Sequence, residues 1–453
     1  MSTISIVNPS TEVEIASVAM HDVHEVDRAI ERAAQAATQW RTVTPADRAR
    51  LLRRFAEVVD GHIEELAQLE VANSGHTITN ARWEAGNVRD VLHYYAGAPE
   101  RHAGRQIPVA GGVDMTFFEP LGVVGIIVPW NFPMPIMGWG LGPALAAGNT
   151  VVLKPASLTP LTAIRIGEFA LDAGIPEGVF QVITGEGSTV GERFVTHPLV
   201  RKICFTGSNA AGRRIMEGCA AQVKRLTLEL GGKSANIVYA DADLERAGAA
   251  APYAVFDNAG QDCCARSRLL VQSSGYDRFM EYFEAAVKAV KVIDPRDEAS
   301  EMGPLITAAH RDTVASYVDE STVAFRGSAP GGPGYWFPPT VLDGTDRAAR
   351  SYCEEIFGPV VSVVRFEDET QAIALANEGP YGLSGSIWSR DIGRALRTAR
   401  GVETGTLSIN SNSSVRYSTP FGGFKQSGLG RELGPDALRS FSEEKNVFIA
   451  TEE

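Results

Sequence analysis

The chain has 453 residues, 44% of them hydrophobic and 21% charged, with a formal net charge of −13 at pH 7. This length predicts two or three domains, and the composition is ordinary for a globular protein. The acidic balance argues against nucleic acid as a partner, because binding a phosphate backbone needs positive charge. The longest apolar stretches are too short to span a bilayer, so we expect no membrane association.

The N-terminal sequence and the cysteines predict a cytoplasmic protein. The opening MSTISIVNPSTEVEIA lacks a basic region followed by an apolar one, which argues against a signal peptide. The five cysteines form an odd and sparse set, as expected for reduced thiols. Adjacent Cys263 and Cys264 also lack the spacing of a zinc site, so we expect no bound metal.

The N-terminal part of the chain is predicted to form packing helices. In VDRAIERAAQAATQW and ADRARLLRRFAEVVDGH the apolar residues recur at helical spacing, with charged residues on the opposite face. From about residue 120 the pattern changes to short β-branched runs, separated by amphipathic segments. These runs are LGVVGIIVPW, NTVVLKPA, GVFQVITG, VRKICFTGS and SANIVYA.

Strands that alternate with helices predict an α/β fold with a doubly wound parallel sheet. Ligands of such sheets bind at the carboxyl ends of the strands, so functional residues are expected in the loops that follow each run. The Gly- and Pro-rich segment 325–337 predicts a surface loop.

The segment NAGQDCCARSR, residues 258–268, is the strongest candidate for chemistry. A cysteine nucleophile needs access to the thiolate form, an oxyanion donor and a base. Cys204 in a strand run and Cys219 on a helix fit the usual role of a buried apolar thiol. A polar turn that contains glycine is an unusual place for such a thiol, so either Cys263 or Cys264 is a candidate nucleophile.

Seven motifs resemble, in order along the chain, those of the aldehyde dehydrogenase superfamily: PWNFP, VVLKPA, FTGS, LELGGKS, FDNAGQDCCARSR, EEIFGPV and PFGGFKQSGLGRELG. The resemblance covers nearly the whole chain. It implies a Rossmann-like cofactor domain at 1–102 and 120–231, and a second α/β catalytic domain at 232–430. It also implies a small β oligomerisation ribbon at 103–119 and 431–453.

The resemblance also assigns the catalytic residues. The family nucleophile is the second residue after the motif glutamine, which is Cys263, and this leaves Cys264 as a packing residue. Glu229 matches the general base that activates the hydrolytic water, and Asn131 matches an oxyanion donor that acts beside the Cys263 N–H. These roles imply oxidation of an aldehyde to a carboxylate through a thiohemiacetal and a thioester, with hydride transfer to NAD or NADP.

The cofactor-binding residues implied by the resemblance are Trp130, Lys154, Ser157, Phe205, Gly207, Ser208, Gly231, Glu355 and Phe357. Many NAD-preferring relatives have a glutamate where this chain has Ser157. A serine does not repel a 2′-phosphate, so NAD and NADP both stay open as cofactors. Many relatives also have a lysine, paired with the counterpart of Glu432, where this chain has Gly140, so the proton must leave by another route.

The substrate is predicted from acidic residues that the resemblance places near the nucleophile. Glu84, Asp257 and Asp262 would together favour a cationic tail, such as that of a short ω-aminoaldehyde like 4-aminobutanal. In an alternative interpretation, the two aspartates bond backbone amides or pair with Arg266 and Arg268.

Other substrates and other classes of function stay open. Arg416 and Phe421 lie in a stretch that matches substrate-lining residues, and Arg416 could bind the carboxylate of a semialdehyde. A generic aliphatic or aromatic aldehyde is a further alternative. An acyltransferase that uses coenzyme A and a catalytically silent homologue are the remaining classes. Retained Glu229 argues against the first, and retained Cys263 and Asn131 argue against the second.

The ends of two predicted strands favour an oligomer. HAGRQIPVAGGVDMTFFEP predicts a hairpin, and KNVFIATEE predicts a terminal strand. Such strands would leave unpaired edges that a partner subunit can cover. By resemblance we expect a homodimer or a homotetramer that acts on a small-molecule aldehyde.

Overall fold

The structure is a computed structural model that describes residues 2–413 and 415–451. Residues 452–453, the end of the predicted ribbon, lie outside the described residues. The strands are β1 (Ser2–Val7), β2 (Glu14–Met20), β3 (Gln106–Val109), β4 (Gly112–Pro120), β5 (Val123–Ile127), β6 (Thr150–Lys154), β7 (Phe180–Val182), β8 (Val200–Thr206), β9 (Arg225–Glu229), β10 (Ala235–Val238), β11 (Arg268–Gln272), β12 (Val323–Arg326), β13 (Thr340–Asp343), β14 (Val360–Phe366), β15 (Gly385–Trp388), β16 (Ser408–Ile409), β17 (Gly428–Leu429) and β18 (Ser442–Ala450).

The helices lie between these strands and vary from one turn to five. They are α1 (Val23–Trp40), α2 (Pro45–Asp60), α3 (Ile63–Ser74), α4 (Ile78–Ala96), α5 (Pro133–Ala146), α6 (Leu161–Asp172), α7 (Glu192–Thr196), α8 (Asn209–Ala220), α9 (Leu244–Ala250), α10 (Tyr253–Phe256), α11 (Tyr276–Ala289), α12 (Ala308–Ala315), α13 (Arg350–Cys353), α14 (Glu369–Ala376) and α15 (Ile392–Gly401). Among the described residues, none of them is long and apolar enough to cross a membrane.

A six-stranded sheet, in the order β17-β9-β8-β5-β6-β7, is parallel except for β17. Helices cover both faces because successive side chains of a strand point to opposite sides. In β5, Val124 and Ile126 pack in the core that includes α2, α4, α5 and α6, whereas Val123 and Ile127 pack with α1, α7 and α8. The predicted α/β fold with a doubly wound parallel sheet is confirmed.

A second, seven-stranded sheet follows the order β12-β13-β14-β11-β10-β15-β16 and is parallel except at β12. Its faces are also divided between two cores, since Leu269 and Val271 join one cluster and Leu270 joins the other. The domain boundaries stay a prediction. One strand from residues 232–430, β17, pairs with β9 of the first sheet, because the C-terminal motif runs back to that sheet edge.

The predicted hairpin and terminal strand form one antiparallel sheet in the order β18-β4-β3. The hairpin turns at Ala110–Gly111, where Gly111 has a φ of 76° that favours glycine. All nine residues of β18 pair with β4, from Ser442 opposite Pro120 to Ala450 opposite Gly112. The C-terminal strand is therefore held by a long, continuous register, while β3 keeps an open edge.

The connection between α10 and β11 has an unusual backbone. Asn258 and Ala259 have φ values of 50° and 53°, and Gly260 has a φ of 70°. Non-glycine residues in this left-handed region are strained, and such strain concentrates at functional sites. A Cβ on Gly260 would overlap the carbonyl of Gly358, so only glycine allows this close approach. The close approach fixes the path of the chain that leads to Cys263.

We predict that Gly260→Ala lowers the free energy of unfolding by about 3 kcal/mol, because it adds an overlap with backbone to an unfavourable φ. Gly379→Ala is the matched control, since Gly379 has a φ of 81° and open space around its Cα. The free energy of unfolding of the control variant should fall by only about 1 kcal/mol. Denaturant unfolding of both variants measures the difference, and equal losses would contradict the assigned contact.

Candidate active site

Two cavities meet at Cys263. The first has a volume of about 250 Å³ and is lined by Pro129, Trp130, Asn131, Thr206, Gly207, Ser208, Glu229, Leu230, Gly231, Cys263, Glu355 and Phe357. The second has a volume of about 320 Å³ and is lined by Asn80, Trp83, Phe132, Pro135, Ile136, Trp139, Asp257, Asp262, Cys263, Cys264, Val415 and Phe421. Of these lining residues, Cys263 alone belongs to both walls. Its thiol can therefore face one ligand on each side.

The two adjacent cysteines have different surroundings. Cys263 is half-buried, whereas Cys264 is 4% exposed and belongs to the core beneath the first sheet. The Cys264 N–H donates to Asp262 Oδ1 at 2.8 Å, which holds the turn closed. The pKa of Cys263 lies well above its ordinary value, because the neighbouring Cys264 thiol, burial and nearby carboxylates all raise it. The thiol is thus protonated at rest, and a base must remove its proton before it can attack.

Asn131 lies in the loop between β5 and α5 and is bound to the cysteine loop at two points. Its side-chain Nδ2 donates to the Gln261 carbonyl at 2.9 Å, and its own carbonyl accepts from Asn258 Nδ2 at 2.8 Å. A side-chain amide has two N–H groups, so one donor remains for a ligand oxygen. Asn131 and Cys263 line the same cavity, as an oxyanion donor and a nucleophile must.

Glu229 is the last residue of β9, beside Thr206 in β8 and Gly428 in β17. It is 1% exposed, and neither carboxylate oxygen has a hydrogen-bond partner among the described residues. Burial, followed by the charges of Glu432 and Cys264, raises its pKa well above the ordinary range. A glutamate without partners that faces the cavity can take a proton from water or from a thiol.

Glu432 lies close enough to Glu229 to raise its pKa. Burial raises the pKa of Glu432 itself to about 7, and the charge of Lys202 opposes this rise. Gly140 is in the buried helix α5, and a Cβ there would lie 2.9 Å from the side chain of Ile126. Position 140 therefore supplies no basic group, and a larger side chain there would require Ile126 to shift.

The structure brings six of the nine predicted cofactor-binding residues to the wall of the first cavity: Trp130, Gly207, Ser208, Gly231, Glu355 and Phe357. The other three do not line it. Lys154 is buried and donates from Nζ to the Pro155 carbonyl at 2.9 Å, and burial lowers its pKa to about 8. Ser157 donates to the Gly185 carbonyl at 3.2 Å, and Phe205 packs in the core beneath α1 and α8.

The first cavity has an anion-binding feature at the carboxyl ends of the strands. Gly207 and Ser208 connect β8 to α8, and the Ser208 side chain caps the helix by accepting from the Ala211 N–H. The N-terminus of this 12-residue helix carries partial positive charge and unpaired N–H groups. Phosphate groups bind well at such a position.

Glu355 contacts the backbone that follows β9. Its Oε1 accepts from the Gly232 N–H at 2.7 Å, and a Cβ on Gly231 would overlap its carboxylate. Burial raises the pKa of Glu355 to about 7. The glycine pair therefore lets a carboxylate reach the cavity wall, where it can accept hydrogen bonds from ligand hydroxyl groups.

Two aromatic rings form a perpendicular pair on the same wall. The rings of Trp130 and Phe357 have centroids 5.4 Å apart and cross at 88°. Phe357 has a φ of 57°, and its carbonyl is hydrogen-bonded to His310 Nε2 at 2.7 Å. His310 also packs edge-on to Trp130, so it contacts both rings. No motif in the sequence indicated His310, because its role depends on contacts with two distant loops.

The second cavity has aromatic walls and two aspartates. Asp257 accepts from Asn80 Nδ2 at 2.6 Å and from the Asn258 N–H at 3.0 Å. Its side chain is exposed, yet the surrounding protein limits its hydration and raises its pKa. Burial likewise raises the pKa of Asp262. Both aspartates thus bond backbone amides, as the alternative interpretation held, and both also line the cavity.

The structure places Asp257, Asp262 and Phe421 on this wall, but not Glu84 or Arg416. Glu84 is fully buried and is hydrogen-bonded to His76, so its carboxylate is directed away from the cavity. Arg416 is exposed, and its neighbour Val415 is the residue that contacts the cavity.

Sequence reasoning missed several residues of this wall. Asn80 and Trp83 precede Glu84 on α4 and contact the cavity in its place, and Phe132 and Trp139 come from the PWNFP segment and α5. No periodicity prediction was made for α4, and helical spacing alone does not indicate which turn of a helix meets a cavity.

Comparison with protein families matches residues 1–447 to the aldehyde dehydrogenase family. An aldehyde dehydrogenase of Emericella nidulans is 40% identical, over 98% of this chain and 91% of that protein. A hydroxyisobutyraldehyde dehydrogenase of Mycolicibacterium austroafricanum is also 40% identical, over 100% of this chain and 91% of its own length.

Solved structures agree with this match. The crystal structure of betaine aldehyde dehydrogenase from Staphylococcus aureus in complex with NAD+ superposes with a TM-score of 0.96. It is 37% identical and covers 100% of this chain and 92% of its own. The motifs, the two parallel sheets and the cavities that meet at a cysteine have the same explanation: this chain belongs to the aldehyde dehydrogenase family.

Proposed function

We propose that this chain oxidises a small aldehyde to its carboxylate with NAD+ or NADP+, and that Cys263 is the nucleophile. The observation that carries the proposal is the position of Cys263 at the junction of two cavities. The first cavity suits the cofactor, since it combines a helix N-terminus, a carboxylate and an aromatic pair. The second is closed by aromatic walls and suits the aldehyde.

In the first half of the proposed reaction, the Cys263 thiol loses its proton and attacks the aldehyde carbon. That proton leaves to solvent, so Glu229, which borders the same cavity, remains available as the base of the second half. The free N–H of Asn131 and the Cys263 amide then donate to the new oxyanion, and one such donor contributes about 3 kcal/mol to the transition state. When bound, the nicotinamide supplies the hydride acceptor, which leaves the acyl group on sulfur as a thioester.

In the second half, Glu229 removes a proton from water, which hydrolyses the thioester and releases the carboxylate and Cys263. Because burial raises the pKa of Glu229, the fraction that is ionised and active as a base rises with pH through that pKa. The presence of Glu229 also favours hydrolysis over acyl transfer to coenzyme A. An acyltransferase would need no base to activate water. A catalytically silent homologue would not need to retain Cys263, Asn131 and Glu229.

We predict that Cys263→Ala abolishes aldehyde oxidation, because the carbonyl then has no covalent acceptor. Cys264→Ala should retain most activity, since the Cys264 side chain packs in the core and alanine keeps its Cβ where it borders the second cavity. Absorbance of the reduced nicotinamide measures both variants. Equal loss in the two variants, with both folded, would remove the assignment of Cys263.

We predict that Glu229→Gln forms one equivalent of reduced cofactor rapidly and then turns over at least about 100-fold more slowly, because the thioester has no base for water. Stopped-flow absorbance separates the rapid phase from steady-state turnover. Wild-type turnover should fall as pH is lowered through the raised pKa, while the residual turnover of the variant should lose this dependence. Normal turnover in the variant would show that another group is the base.

The chain's own residues would hold the cofactor as follows. The α8 N-terminus at Gly207 and Ser208 would face the pyrophosphate, and Glu355 would accept from ribose hydroxyls. Trp130 and Phe357 would enclose the nicotinamide ring. Ser157 places no carboxylate beside the adenosine ribose, so we expect NAD to be used and NADP to be accepted as well.

We propose a short ω-aminoaldehyde, such as 4-aminobutanal, as the substrate. Asp257 and Asp262 lie on one wall of the second cavity, and a cationic tail would lower the cost of keeping both ionised. Trp83 and Trp139 line the same cavity and can pack against an ammonium group. A semialdehyde is the second candidate. Arg416 is its only proposed anchor, and this exposed side chain does not line the cavity.

We predict that kcat/KM is highest for 4-aminobutanal among 4-aminobutanal, betaine aldehyde, succinic semialdehyde and a plain alkyl aldehyde, each assayed with NAD and NADP. Asp257→Asn should reduce kcat/KM for the amino compound about tenfold, which corresponds to about 1.4 kcal/mol. The same substitution should leave kcat/KM for the alkyl aldehyde nearly unchanged. This comparison of two substrates in one variant is the control. A highest value for succinic semialdehyde that falls in Arg416→Ala would support the second candidate instead.

We also propose a homodimer or homotetramer assembled through the sheet β18-β4-β3. This sheet exposes Ile107, Phe117, Phe448 and Ile449, which are between 37% and 51% exposed in the single chain. Apolar side chains and the open edge of β3 would be covered by a second copy.

We predict that light scattering gives the mass of two or four chains. The double variant Phe117→Asp/Phe448→Asp should shift this mass toward one chain, because charges replace apolar contacts. Ile392→Asp is the control, since Ile392 is 61% exposed at the start of α15, outside this sheet. An unchanged mass in the double variant would place the interface elsewhere.

A further inference from the structure

A hydrogen bond behind the second cavity joins the cavity wall to helix α4. Trp139 Nε1 on α5 donates to Asn87 Oδ1 on α4 at 3.0 Å. Trp139 lines the second cavity, whereas Asn87 is not one of its lining residues. Both residues are buried, with 7% and 9% of their surface exposed, so the loss of either partner would leave a buried polar group unpaired. This bond has no part in the proposed reaction.

The glycines of α5 bring the two helices close enough for this bond. Gly138 and Gly142 lie one turn apart on the side of α5 that faces α4. A Cβ on Gly138 would lie 3.6 Å from the backbone of α4, and a Cβ on Gly142 would lie only 2.9 Å from the Val91 side chain. A short side chain on α4 can therefore reach the indole of Trp139, which follows Gly138, and that side chain is Asn87.

The bond decides which atoms of Trp139 face a substrate. The indole N–H is a donor and is the only polar group of this side chain. Because it is bonded to Asn87 behind the wall, the Trp139 side chain presents carbon atoms to the cavity. Phe421 packs against the same ring, with centroids 5.2 Å apart and planes that cross at 63°. The indole is thus held at its polar edge by Asn87 and against a second wall residue by Phe421.

A wall of this kind discriminates between substrate tails by their charge. The carbon face of an indole attracts a cation and packs well against an alkyl chain. It offers no donor to a carboxylate, which would lose its water in the cavity without gaining a hydrogen bond. An indole that turned its N–H toward the cavity would supply that donor.

We infer that Asn87 is a positioning residue that sets substrate selectivity through Trp139: it holds the indole N–H away from the second cavity, so that the wall favours a cationic or apolar tail over an anionic one. This inference rests on the proposed function, since selectivity requires that the second cavity binds the aldehyde. It adds to the substrate determinants a residue that acts from behind the wall.

Asn87→Leu tests the hydrogen bond, because leucine has a similar volume and no acceptor. The unpaired indole should turn its N–H toward the cavity, and the ratio of kcat/KM for 4-aminobutanal to kcat/KM for succinic semialdehyde should fall about tenfold. The change should lie mainly in KM, and kcat for a plain alkyl aldehyde should stay within about twofold of wild type.

Asn73→Leu is the matched control for this substitution. Asn73 is a fully buried amide on the neighbouring helix α3, and its side chain has no hydrogen-bond partner within the described part of the chain. The control therefore replaces the same kind of residue without removing a bond to the cavity wall, and it should leave the ratio unchanged. An equal fall of the ratio in both variants would overturn the inference.

A double-mutant cycle with Trp139→Phe separates positioning from other effects of Asn87. Phenylalanine keeps an aromatic wall and has no N–H, so Asn87→Leu should cause no further fall of the ratio in the Trp139→Phe background. A further fall of the same size in that background would overturn the inference and leave the proposed function intact. The ratio tests the inference whichever of the two substrates the wild-type protein prefers.

Hydrogen exchange of the indole group gives a measurement that needs no activity. The chain has six tryptophans, and the NMR signal of the Trp139 indole is identified by its absence in Trp139→Phe. In Asn87→Leu this N–H should exchange with deuterium at least about tenfold faster, while the other indole signals keep their rates. Unchanged exchange would overturn the inference. Faster exchange in a protein that oxidises no aldehyde would instead refute the proposed function, and the selectivity inference with it.

Folding is checked separately, because Asn87→Leu changes a buried position. Circular dichroism and thermal unfolding identify a variant that does not fold. Asn87→Ala is then the second test, since alanine removes the same acceptor without adding volume. It should show the same fall of the ratio, the same absence of a further fall with Trp139→Phe and the same faster exchange. An unchanged ratio in Asn87→Ala would overturn the inference.

Discussion

The site depends on the close approach of two backbone segments, Gly260 and Gly358. Their contact leaves no room for a side chain, and it forces Asn258 and Ala259 into the left-handed region. The chain therefore enters the cysteine turn along one path, and Cys263 faces two cavities instead of the core. Asn131 is bonded to this turn at both its side chain and its carbonyl. The proposed nucleophile and the proposed oxyanion donor are thus held by one strained loop, which limits their relative movement.

Several carboxyl groups in and around this site are buried. Glu229, Glu355 and Glu432 lie in or beside the first cavity, and Glu70 and Glu84 lie behind it; burial raises the pKa of each. A raised pKa keeps such carboxyl groups protonated to a higher pH than exposed ones, which stay ionised. The protein thereby keeps several acids close together without a matching number of cations. The cost in stability is reduced because the neutral form is the one that is buried.

Much of the fold and the catalytic set could be predicted from the sequence, whereas the substrate wall could not. The β-branched runs predicted strands β5, β6 and β8, because strands that are covered on both faces are apolar throughout. Motif matching indicated Cys263, Asn131 and Glu229, and all three line one cavity because the connection before β11 meets the ends of β5 and β9 there. Glu84 was predicted near the nucleophile but does not line the cavity, because the sequence does not reveal that His76, in the connection before α4, binds its carboxylate. His310 had no signal, since its partners come from distant loops.

The pairing of β17 with β9 has a consequence for biosynthesis. β9 carries Glu229 at its end, and β17, which borders it, is encoded about two hundred residues later. The C-terminal strand β18 likewise completes a sheet that begins at β3. Neither sheet can therefore close until these late segments have been synthesised, although domains often fold during synthesis. An unfinished chain would carry an exposed edge beside Glu229, and a truncated product would be prone to associate with other chains.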